Sequence, residues 1–323
     1  MTKRTPDADA AEADAHGLAL FDCAALDRQE LPAPALYVVA TPIGNAADVT
    51  LRALWVLGRV DAIAAEDTRA TRPLLARFGI HAPLFAAHRH NEAAAASSIV
   101  ERLAGGARIA LVSDAGSPGI SDPGALVVRA VRAAGYRVVP VPGASSPVAA
   151  ACAAGLRATA LHIEGFLPRA RSARSALLSS WSRDASAAYV IFEAPHRVRE
   201  TAVEIAATFD AARPVVVARE ITKRFESIEL VAAGELPEYV ARAEREGAAR
   251  GEFVLIIDAP VAADDGAGVA STDASIDATT RRWLDALAGE LPAPRLASLA
   301  SKASGLPRDL IYRTLAGRRD GGA

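Results

Sequence analysis

The chain has 323 residues, enough for two domains with sizeable cores. Its apolar fraction of 51% and mean hydropathy of +0.17 suit a globular protein. Every apolar run is shorter than the roughly 20 residues that a membrane-spanning helix needs. The first residues lack the apolar core of a signal peptide, and 2 cysteines are too few for a disulfide framework. We therefore expect a cytoplasmic protein without a membrane partner.

Charge is unevenly distributed along the chain, although the formal net charge is only −2. Residues 1–30 are acidic, whereas basic residues cluster at 156–183 and at 295–319. Basic clusters of this kind attract polyanions whatever the global charge, but they are equally typical of a solvated, solubilising face. Charge alone leaves a nucleic-acid partner open.

The elements in chain order predict an α/β protein. Residues 1–33 show no clear period and are predicted to be a disordered tail. Buried-type strands that end in loops and lead into helices then alternate through an N-terminal α/β domain at 34–155 and a second α/β domain at 156–259. A linker is predicted at 260–278, and a small helical module with a helix-turn-helix-like pattern at 279–323.

The stretch 109–146 contains two strand–loop–helix units whose loops are crowded with Gly, Pro, Ser and Asp. Ligands of parallel sheets bind at the carboxyl ends of the strands, and loops with few side chains let the backbone approach a ligand. We interpret this stretch as the floor of a small-molecule pocket. Asp114 and Asp122 offer acceptors there, although Asp122, which precedes Pro123, is better explained as the cap of the following helix.

Three other strand ends carry polar motifs, each with two interpretations. Pro42–Asn45 is either a turn or a ligand loop, and it matches neither the GxGxxG nor the P-loop spacing. Glu66–Arg69 offers acid–base groups, or an ion pair that caps the next helix. His88, His90 and Glu92 lack the spacing of a zinc-binding helix, so we expect no metal. We assign the two histidines to the polar pocket wall or to substrate contacts.

Two further strand ends, in the second half of the chain, combine acidic and basic residues. Glu193 precedes His196 and Arg197, and Glu220 precedes Lys223. Ligand contacts and salt bridges between the two domains explain these pairs equally well.

Nine segments in a fixed order resemble one family of enzymes. They are Thr41–Asn45, Ala65–Arg69, His90–Asn91, Ser113–Gly124, Val141–Ser146, Glu164–Pro168, Phe192–Arg197, Ala218–Lys223 and Gly251–Ile257. The family comprises the bacterial 16S rRNA cytidine 2′-O-ribose methyltransferases, a branch of the tetrapyrrole-methylase-like (class III) S-adenosylmethionine enzymes. The resemblance covers about residues 35–320. It implies two α/β domains with S-adenosylmethionine in the cleft between them, a homodimer, and a target cytidine in the decoding region of the small ribosomal subunit.

The resemblance also implies which residues bind the cofactor. They are Pro42, Gly44, Asp114, Ala115, Gly116, Ile120, Ser145 and Ser146 in the first domain, and Phe166, Glu193 and Pro195 in the second. Relatives that methylate tetrapyrroles usually have a GxGxG-like turn where this chain has Thr41–Asn45. That departure favours the RNA branch over porphyrin substrates.

The implied reaction is methyl transfer from a sulfonium to a ribose hydroxyl, which needs in-line positioning and removal of a proton from a poor acid. We expect Glu66 or Asp67 to act as the base, with His88 as a substitute. Arg69 or Lys223 is expected to stabilise the charge that develops on the oxygen. For each of these residues, phosphate binding is the alternative role. The expected partner is 16S rRNA or the small ribosomal subunit, with 279–323 as an RNA-binding module.

Two other functions remain open at this point. A corrin or porphyrin methylase predicts a wide apolar cleft and has no need of the basic clusters. A DNA-binding regulator, with the α/β part as a small-molecule sensor, predicts salt-sensitive binding of duplex DNA through 295–319. Such a regulator would normally carry a more basic recognition helix than this chain offers.

Overall fold

The structure is a computed structural model that describes residues 25–247, 249–260, 283–284, 286–287, 291–304 and 308–316. The chain divides into two compact units, one ending at residue 261 and the other beginning at residue 262. In the described parts of the chain, the first unit contains two five-stranded sheets, and the second contains the helices Ala293–Ser304 and Arg308–Ala316.

The first sheet is entirely parallel, with the strand order β3-β2-β4-β1-β5. Its strands are β1 (Ala35–Val39), β2 (Ala62–Ala65), β3 (Leu84–Ala86), β4 (Arg108–Val112) and β5 (Arg137–Val141). The helices that connect them are α1 (Leu51–Leu57), α2 (Thr68–Arg77), α3 (Glu92–Ala104) and α4 (Ala125–Ala133). Because all five strands run the same way, their carboxyl ends and the loops that follow them lie along one edge.

The second sheet has the strand order β6-β7-β10-β8-β9 and is reached through α5 (Ser146–Ala154). Its strands are β6 (Ala160–Phe166), β7 (Ala187–Glu193), β8 (Pro214–Arg219), β9 (Ser227–Ala232) and β10 (Phe253–Ile257). The helices of this half are α6 (Arg171–Ser182), α7 (Val198–Thr208) and α8 (Leu236–Arg245).

The second sheet is mixed, which differs from the alternation that the sequence predicted. Only β6 and β7 are parallel, whereas β10 runs antiparallel to both β7 and β8, and β9 runs antiparallel to β8. Residues 220–226 are too short a connection for a parallel crossover, which takes a dozen or more residues, so β9 folds back beside β8. The last strand in sequence, which is fully buried, then lies at the centre of the sheet.

Residues 25–33 are packed against the first sheet rather than forming part of a tail. Leu26 is buried in its core, and the Leu31 carbonyl accepts a hydrogen bond from Arg108 Nε at 3.0 Å. The predicted boundary at residue 33 is therefore wrong by several residues. The remainder of the predicted tail, at 1–24, and nearly all of the predicted linker lie outside the described residues.

The start of α4 also differs from the sequence prediction. The helix begins at Ala125, and the carboxylate of Glu92 caps it, because Oε1 accepts from Gly124 N at 2.8 Å and from Leu126 N at 3.0 Å. Asp122 is therefore not the cap. A neighbouring helix supplies the acceptor, which leaves the Asp122 carboxylate available elsewhere.

Apolar cores cover both faces of each sheet, as expected for strands rich in Val, Ile, Leu and Ala. One of these cores also joins the two sheets. Ile43, in the loop after β1, packs in the same cluster as Ala150 of α5 and Val190, Val216 and Ile256 of the second sheet. This contact fixes the carboxyl edge of the first sheet beside the second sheet.

The second unit contains α9 (Ala293–Ser304) and α10 (Arg308–Ala316), which confirms the two helices predicted there. Its small core is formed by Leu284, Leu296, Ala297, Ala300, Ile311 and Leu315. The turn between the helices, at 305–307, lies outside the described residues.

Arg174 of α6 is buried, with 3% of its side chain exposed, and it ties α6 to α7. Its guanidinium donates to Glu204 Oε2 and Oε1 at 2.6 and 2.7 Å and to Glu200 Oε1 at 2.5 Å. The hydrogen bonds from Arg174 hold the pKa of the Glu204 carboxyl below its usual value. This member of the basic cluster at 156–183 is therefore a structural residue that faces no solvent.

We expect Arg174→Ala to lower the free energy of unfolding by about 3–5 kcal/mol, because it leaves the Glu204 carboxylate without its buried partner. Arg171→Ala is the matched control, since Arg171 is 85% exposed and lies 3.7 Å from the same carboxylate; it should cost less than about 1 kcal/mol. Urea unfolding at pH 7 measures both. Because the pKa of Glu204 is lowered, the stabilisation is present above the usual pKa of a glutamate and is lost as the pH falls through the lowered value. Equal losses in the two variants would contradict this assignment.

Candidate active site

A cavity of about 350 Å³ lies between the carboxyl ends of the first sheet and the adjoining ends of β6, β7 and β10. Eight of the predicted cofactor residues line it. They are Ala115, Gly116, Ile120, Ser145, Ser146, Phe166, Glu193 and Pro195. The loops that the sequence placed after different strands thus meet around one space, which we call the first cavity.

The floor of the first cavity is largely backbone. Thr41 and Gly116 pair through two backbone hydrogen bonds of 2.9 and 3.1 Å, which draw the loop after β4 onto the loop after β1. Gly116 has a φ of 77°, and a Cβ added there would lie 3.2 Å from Ile43 Cγ2. Glycine therefore permits both the backbone conformation and the close packing of the two loops.

An aromatic pair forms the wall on the side of the second sheet. Phe166 is 58% exposed, and its ring lies 5.7 Å from that of Phe192, between centroids. A large apolar side chain so exposed at the mouth of a cavity is suited to contact the flat or apolar part of a ligand.

Glu193 lines the first cavity, and its carboxylate is bonded to groups of the second half of the chain. Its carboxylate is fully buried, accepts from Thr201 Oγ1 at 2.6 Å and from Ala194 N at 2.9 Å, and lies 3.4 Å from Arg197 Nε. These bonds hold the start of α7 beneath the cavity. The salt bridge between Glu193 and Arg197 therefore lies within the second half of the chain and does not join the two domains.

Several lining residues were not singled out from the sequence. They are Ile43, Ser117, Ser121, Pro147, Phe192, Ala194, Ile221, Glu252, Phe253 and Val254, together with Asp122, which we had assigned as a cap. All but Pro147 lie within the segments that carry the family resemblance. The family resemblance therefore included nearly all of these residues, but no local sequence pattern distinguished them from their neighbours.

A second cavity, of about 290 Å³, lies beside the first. The other three predicted cofactor residues, Pro42, Gly44 and Asp114, line this second cavity and not the first. Its lining also includes Ala46, Ala70, Thr71, Leu74, Arg77, Ser113 and Lys223. Ile43, Ala115 and Glu252 line both cavities, which therefore adjoin at these residues.

The segment after β8 contributes to both cavities. Glu220 and Thr222 have φ values of 50° and 68°, a left-handed conformation that is uncommon for residues other than glycine. Thr222 Oγ1 accepts from Asn45 N at 3.0 Å, which ties this segment to the loop after β1. Ile221 consequently lines the first cavity and Lys223 the second.

Lys223 carries its charge between two carboxylates. Its Nζ lies 2.9 Å from both Glu220 Oε1 and Glu252 Oε2. Partial burial lowers the pKa of Lys223, but hydrogen bonds to the two glutamates outweigh it, so the pKa lies above its usual value. A permanent cation therefore stands at the edge of the second cavity.

Two carboxyl groups beside the loop after β4 are poorly solvated. Partial burial and the negative charges of Asp122 and Asp114 raise the pKa of Glu66, although its Oε2 accepts from Asp114 N at 3.4 Å. Burial and the charge of Asp114 likewise raise the pKa of Asp122, against a hydrogen bond from Ser113. Raised pKa values suit groups that exchange protons near neutral pH.

Asp67 and Arg69 form the capping ion pair that the sequence left as an alternative. Asp67 Oδ1 accepts from Arg69 N at 2.8 Å at the start of α2, and Arg69 Nη2 lies 2.7 Å from Asp67 Oδ2. The hydrogen bonds from Arg69 lower the pKa of Asp67 to about 2. A carboxylate with so low a pKa is a weak base, and Arg69 is 90% exposed, so both residues fit structural roles better than catalytic ones.

His88 and His90 line neither of these two cavities, and their role stays a prediction. Asn91 Oδ1 accepts from His88 N at 2.8 Å and so fixes the loop. His88 Nδ1 is buried, without a hydrogen-bond partner in the described part of the chain.

Among the described residues, no three His, Cys, Asp or Glu side chains form a group able to hold a metal. Within the same ranges, no helix is long and apolar enough to cross a membrane.

Comparisons with solved structures bear on the fold. A structure described as the methyltransferase CobJ has a TM-score of 0.53 at 20% identity, covering 69% of this chain and 94% of that one. A diphthine synthase structure has a TM-score of 0.51 at 16% identity, covering 70% of this chain and 90% of that one. At these identities the similarity is one of fold alone.

Sequence comparisons identify the family. The model of the tetrapyrrole (corrin/porphyrin) methylases matches residues 35–237. Proteins named ribosomal RNA small subunit methyltransferase I are 44% identical in Xylella fastidiosa and 42% identical in Escherichia coli O157:H7. Both alignments cover 86% of this chain, with 97% and 93% of the respective relatives. The chain therefore belongs to the tetrapyrrole methylases, a family of S-adenosylmethionine-dependent methyltransferases, and within it to the ribosomal RNA small subunit methyltransferase I group.

Proposed function

We propose that this protein methylates the 2′-hydroxyl of a cytidine in the decoding region of 16S rRNA, in the cytoplasm, with S-adenosylmethionine bound in the first cavity. The observation that carries the proposal is that loops from both sheets converge on this one cavity. Those loops are the segments that resemble the rRNA methyltransferases, and the relatives named for that activity align over 86% of the chain.

The lining of the first cavity suits S-adenosylmethionine. Its volume of about 350 Å³ falls within the range of about 300–1,000 Å³ that is typical of small-molecule sites. Phe166 and Phe192 offer a surface for the adenine, and the Asp122 carboxylate offers an acceptor for hydroxyls or an ammonium. Ser145 and Ser146, at the start of α5, suit a carboxylate because of the helix dipole.

The bound cofactor supplies an activated methyl group, so the protein's task is to position the ribose and take its proton. The 2′-oxygen bonds to the methyl carbon as the sulfur–carbon bond breaks, and the electron pair of that bond stays on sulfur. We assign the proton to Glu66, which lines neither cavity itself but accepts a hydrogen bond from the amide of Asp114, a residue of the second cavity. Its raised pKa also favours it over Asp67. Lys223 is preferred to Arg69 for stabilising the oxygen, since it lines a cavity.

The second unit supplies exposed cations for the RNA. Arg295, Lys302, Arg308 and Arg313 are all exposed on α9 and α10. They fit the contacts that an RNA-binding module makes with phosphates. Membership of a methyltransferase family weighs against the alternative of a DNA-binding regulator with a sensor domain.

A homodimer is part of the proposal, supported by the edge strand β6. All its residues except Gly165 are exposed, including the apolar side chains of Leu161 and Ile163 at 40% and 42%. A long apolar edge strand is a ready template for pairing with another chain, and a second copy covers it most simply. A monomeric mass in sedimentation equilibrium at micromolar concentration would contradict this arrangement.

Labelled S-adenosylmethionine tests the proposed reaction directly. We expect transfer of label to small ribosomal subunits or free 16S rRNA, with nucleoside analysis yielding 2′-O-methylcytidine, and no transfer to a tetrapyrrole. Label on a tetrapyrrole, or on a base rather than a ribose, would overturn the proposal.

We expect Phe166→Ala to weaken S-adenosylmethionine binding up to about tenfold, because an aromatic contact contributes about 0.5–1.5 kcal/mol beyond its buried area. Phe225→Ala is the matched control, since Phe225 is 63% exposed and does not line the first cavity. Isothermal titration calorimetry measures both dissociation constants. Unchanged binding in Phe166→Ala would place the cofactor elsewhere.

We expect Glu66→Gln to lower kcat by about 10²–10⁴-fold while leaving the Kd of S-adenosylmethionine nearly unchanged. Because the base acts when deprotonated and the pKa of Glu66 is raised, wild-type kcat should fall with decreasing pH above the usual range of a glutamate. Asp67→Asn preserves a good helix cap and should retain most of the activity. An equal loss in Asp67→Asn, or a flat pH profile, would remove Glu66 from this role.

A further inference from the structure

The second cavity adjoins the first, because Ile43, Ala115 and Glu252 line both. If the methyl donor occupies the first cavity, the second is the neighbouring space from which an acceptor oxygen approaches it. Methyl transfer requires the reacting atoms to come within about 3–3.5 Å in line, so the acceptor must bind directly beside the donor.

We propose that the second cavity binds the acceptor nucleotide as a single unstacked residue, with its ribose at the residues that line both cavities. The proposal rests on the proposed function and gives it a location for the substrate. A volume of about 290 Å³ is of the order of one nucleotide. Sequence-specific recognition of RNA generally targets single-stranded, unstacked bases, which is why an unstacked nucleotide is proposed.

The polar lining of the second cavity matches the groups of a nucleotide. Arg77 of α2 places a cation at its edge that suits a flanking phosphate, and Lys223 places there the cation assigned above to the acceptor oxygen. Asp114 and Glu252 supply carboxylates, and a carboxylate accepts a hydrogen bond from the amino group by which cytosine differs from uracil. Glu66 hydrogen-bonds to the Asp114 amide, so the proposed base lies against this lining.

The backbone around Lys223 is held in place at an energetic cost. Glu220 and Thr222, which precede it, have left-handed conformations, and such conformations persist only where the surroundings impose them. A Cβ on Gly44 would lie 2.5 Å from Lys223 Cγ, so the side chain runs directly over this glycine. Both features direct the cation of Lys223 along the second cavity rather than into solvent.

The variant Leu74→Trp tests the site by filling it, because Leu74 is a half-buried residue of α2 in the lining of the second cavity alone. We expect kcat/KM for methylation of small ribosomal subunits to fall by about 100-fold or more, the scale that misplacement of a substrate produces. The Kd of S-adenosylmethionine should stay within about twofold, which also shows that the variant is folded. Ala76→Trp, on the exposed side of the same helix and outside both cavities, is the matched control and should keep wild-type kinetics.

A second variant, Arg77→Ala, tests the phosphate contact. We expect the salt dependence of RNA binding, measured as the slope of log K against log salt concentration, to decrease by about 1. Arg129→Ala, at an exposed position of α4 outside both cavities, should leave the slope unchanged.

Binding of cytidine 5′-monophosphate, followed by NMR, separates failure of this proposal from failure of the proposed function. Wild type should bind the nucleotide and Leu74→Trp should not. Wild-type kcat/KM or wild-type nucleotide binding in Leu74→Trp would overturn the acceptor site while leaving the methylation proposal intact. If wild type methylated no RNA, the proposed function would fail, and nucleotide binding would still decide what the second cavity accepts.

Discussion

The packing of the loop after β1 against the second sheet is the contact on which the whole site depends. Ile43 lies in one apolar cluster with Ala150 of α5 and with residues of β7, β8 and β10. It also lines both cavities. Because this contact is apolar and buried, it brings the carboxyl edge of one sheet to the other without using any of the polar groups that a ligand needs. The two cavities adjoin at this loop and at Ala115, which line both.

The carboxylates around the site divide into two groups by their surroundings. Asp67, Glu92 and Glu193 are used for structure, since they cap helices or accept bonds from nearby amides and hydroxyls. Glu66 and Asp122 are partly buried near other negative charges, so the pKa of each is raised. Carboxyl groups of the same kind thus acquire different pKa values, because desolvation raises the pKa and hydrogen bonds to the charged form lower it. The first group therefore stabilises the loops, whereas the raised pKa values of Glu66 and Asp122 suit chemical roles.

Clusters of basic residues in the sequence indicated binding surfaces less reliably than the motifs at strand ends indicated the cavity lining. The cluster at 156–183 suggested a surface for a polyanion, but Arg174, at its centre, is buried against Glu200 and Glu204. A helix places only some of its residues toward solvent, so neighbouring arginines in sequence need not share a face. The arginine and lysine residues described on α9 and α10 are exposed, as a basic surface requires. The core of that unit is formed by a separate set of apolar residues.

The sequence by itself determined the strand–loop–helix order, the two α/β halves, the C-terminal helices and the loops that surround the first cavity. These follow from local composition and from short motifs whose order the family shares. Only the tertiary structure decided that β10 lies antiparallel at the centre of the second sheet and that Glu92, not Asp122, caps α4. It also decided that Pro42, Gly44 and Asp114 line a different cavity from the one lined by Gly116 and Ile120. Each of these outcomes depends on contacts between residues far apart in the chain, which local patterns do not encode.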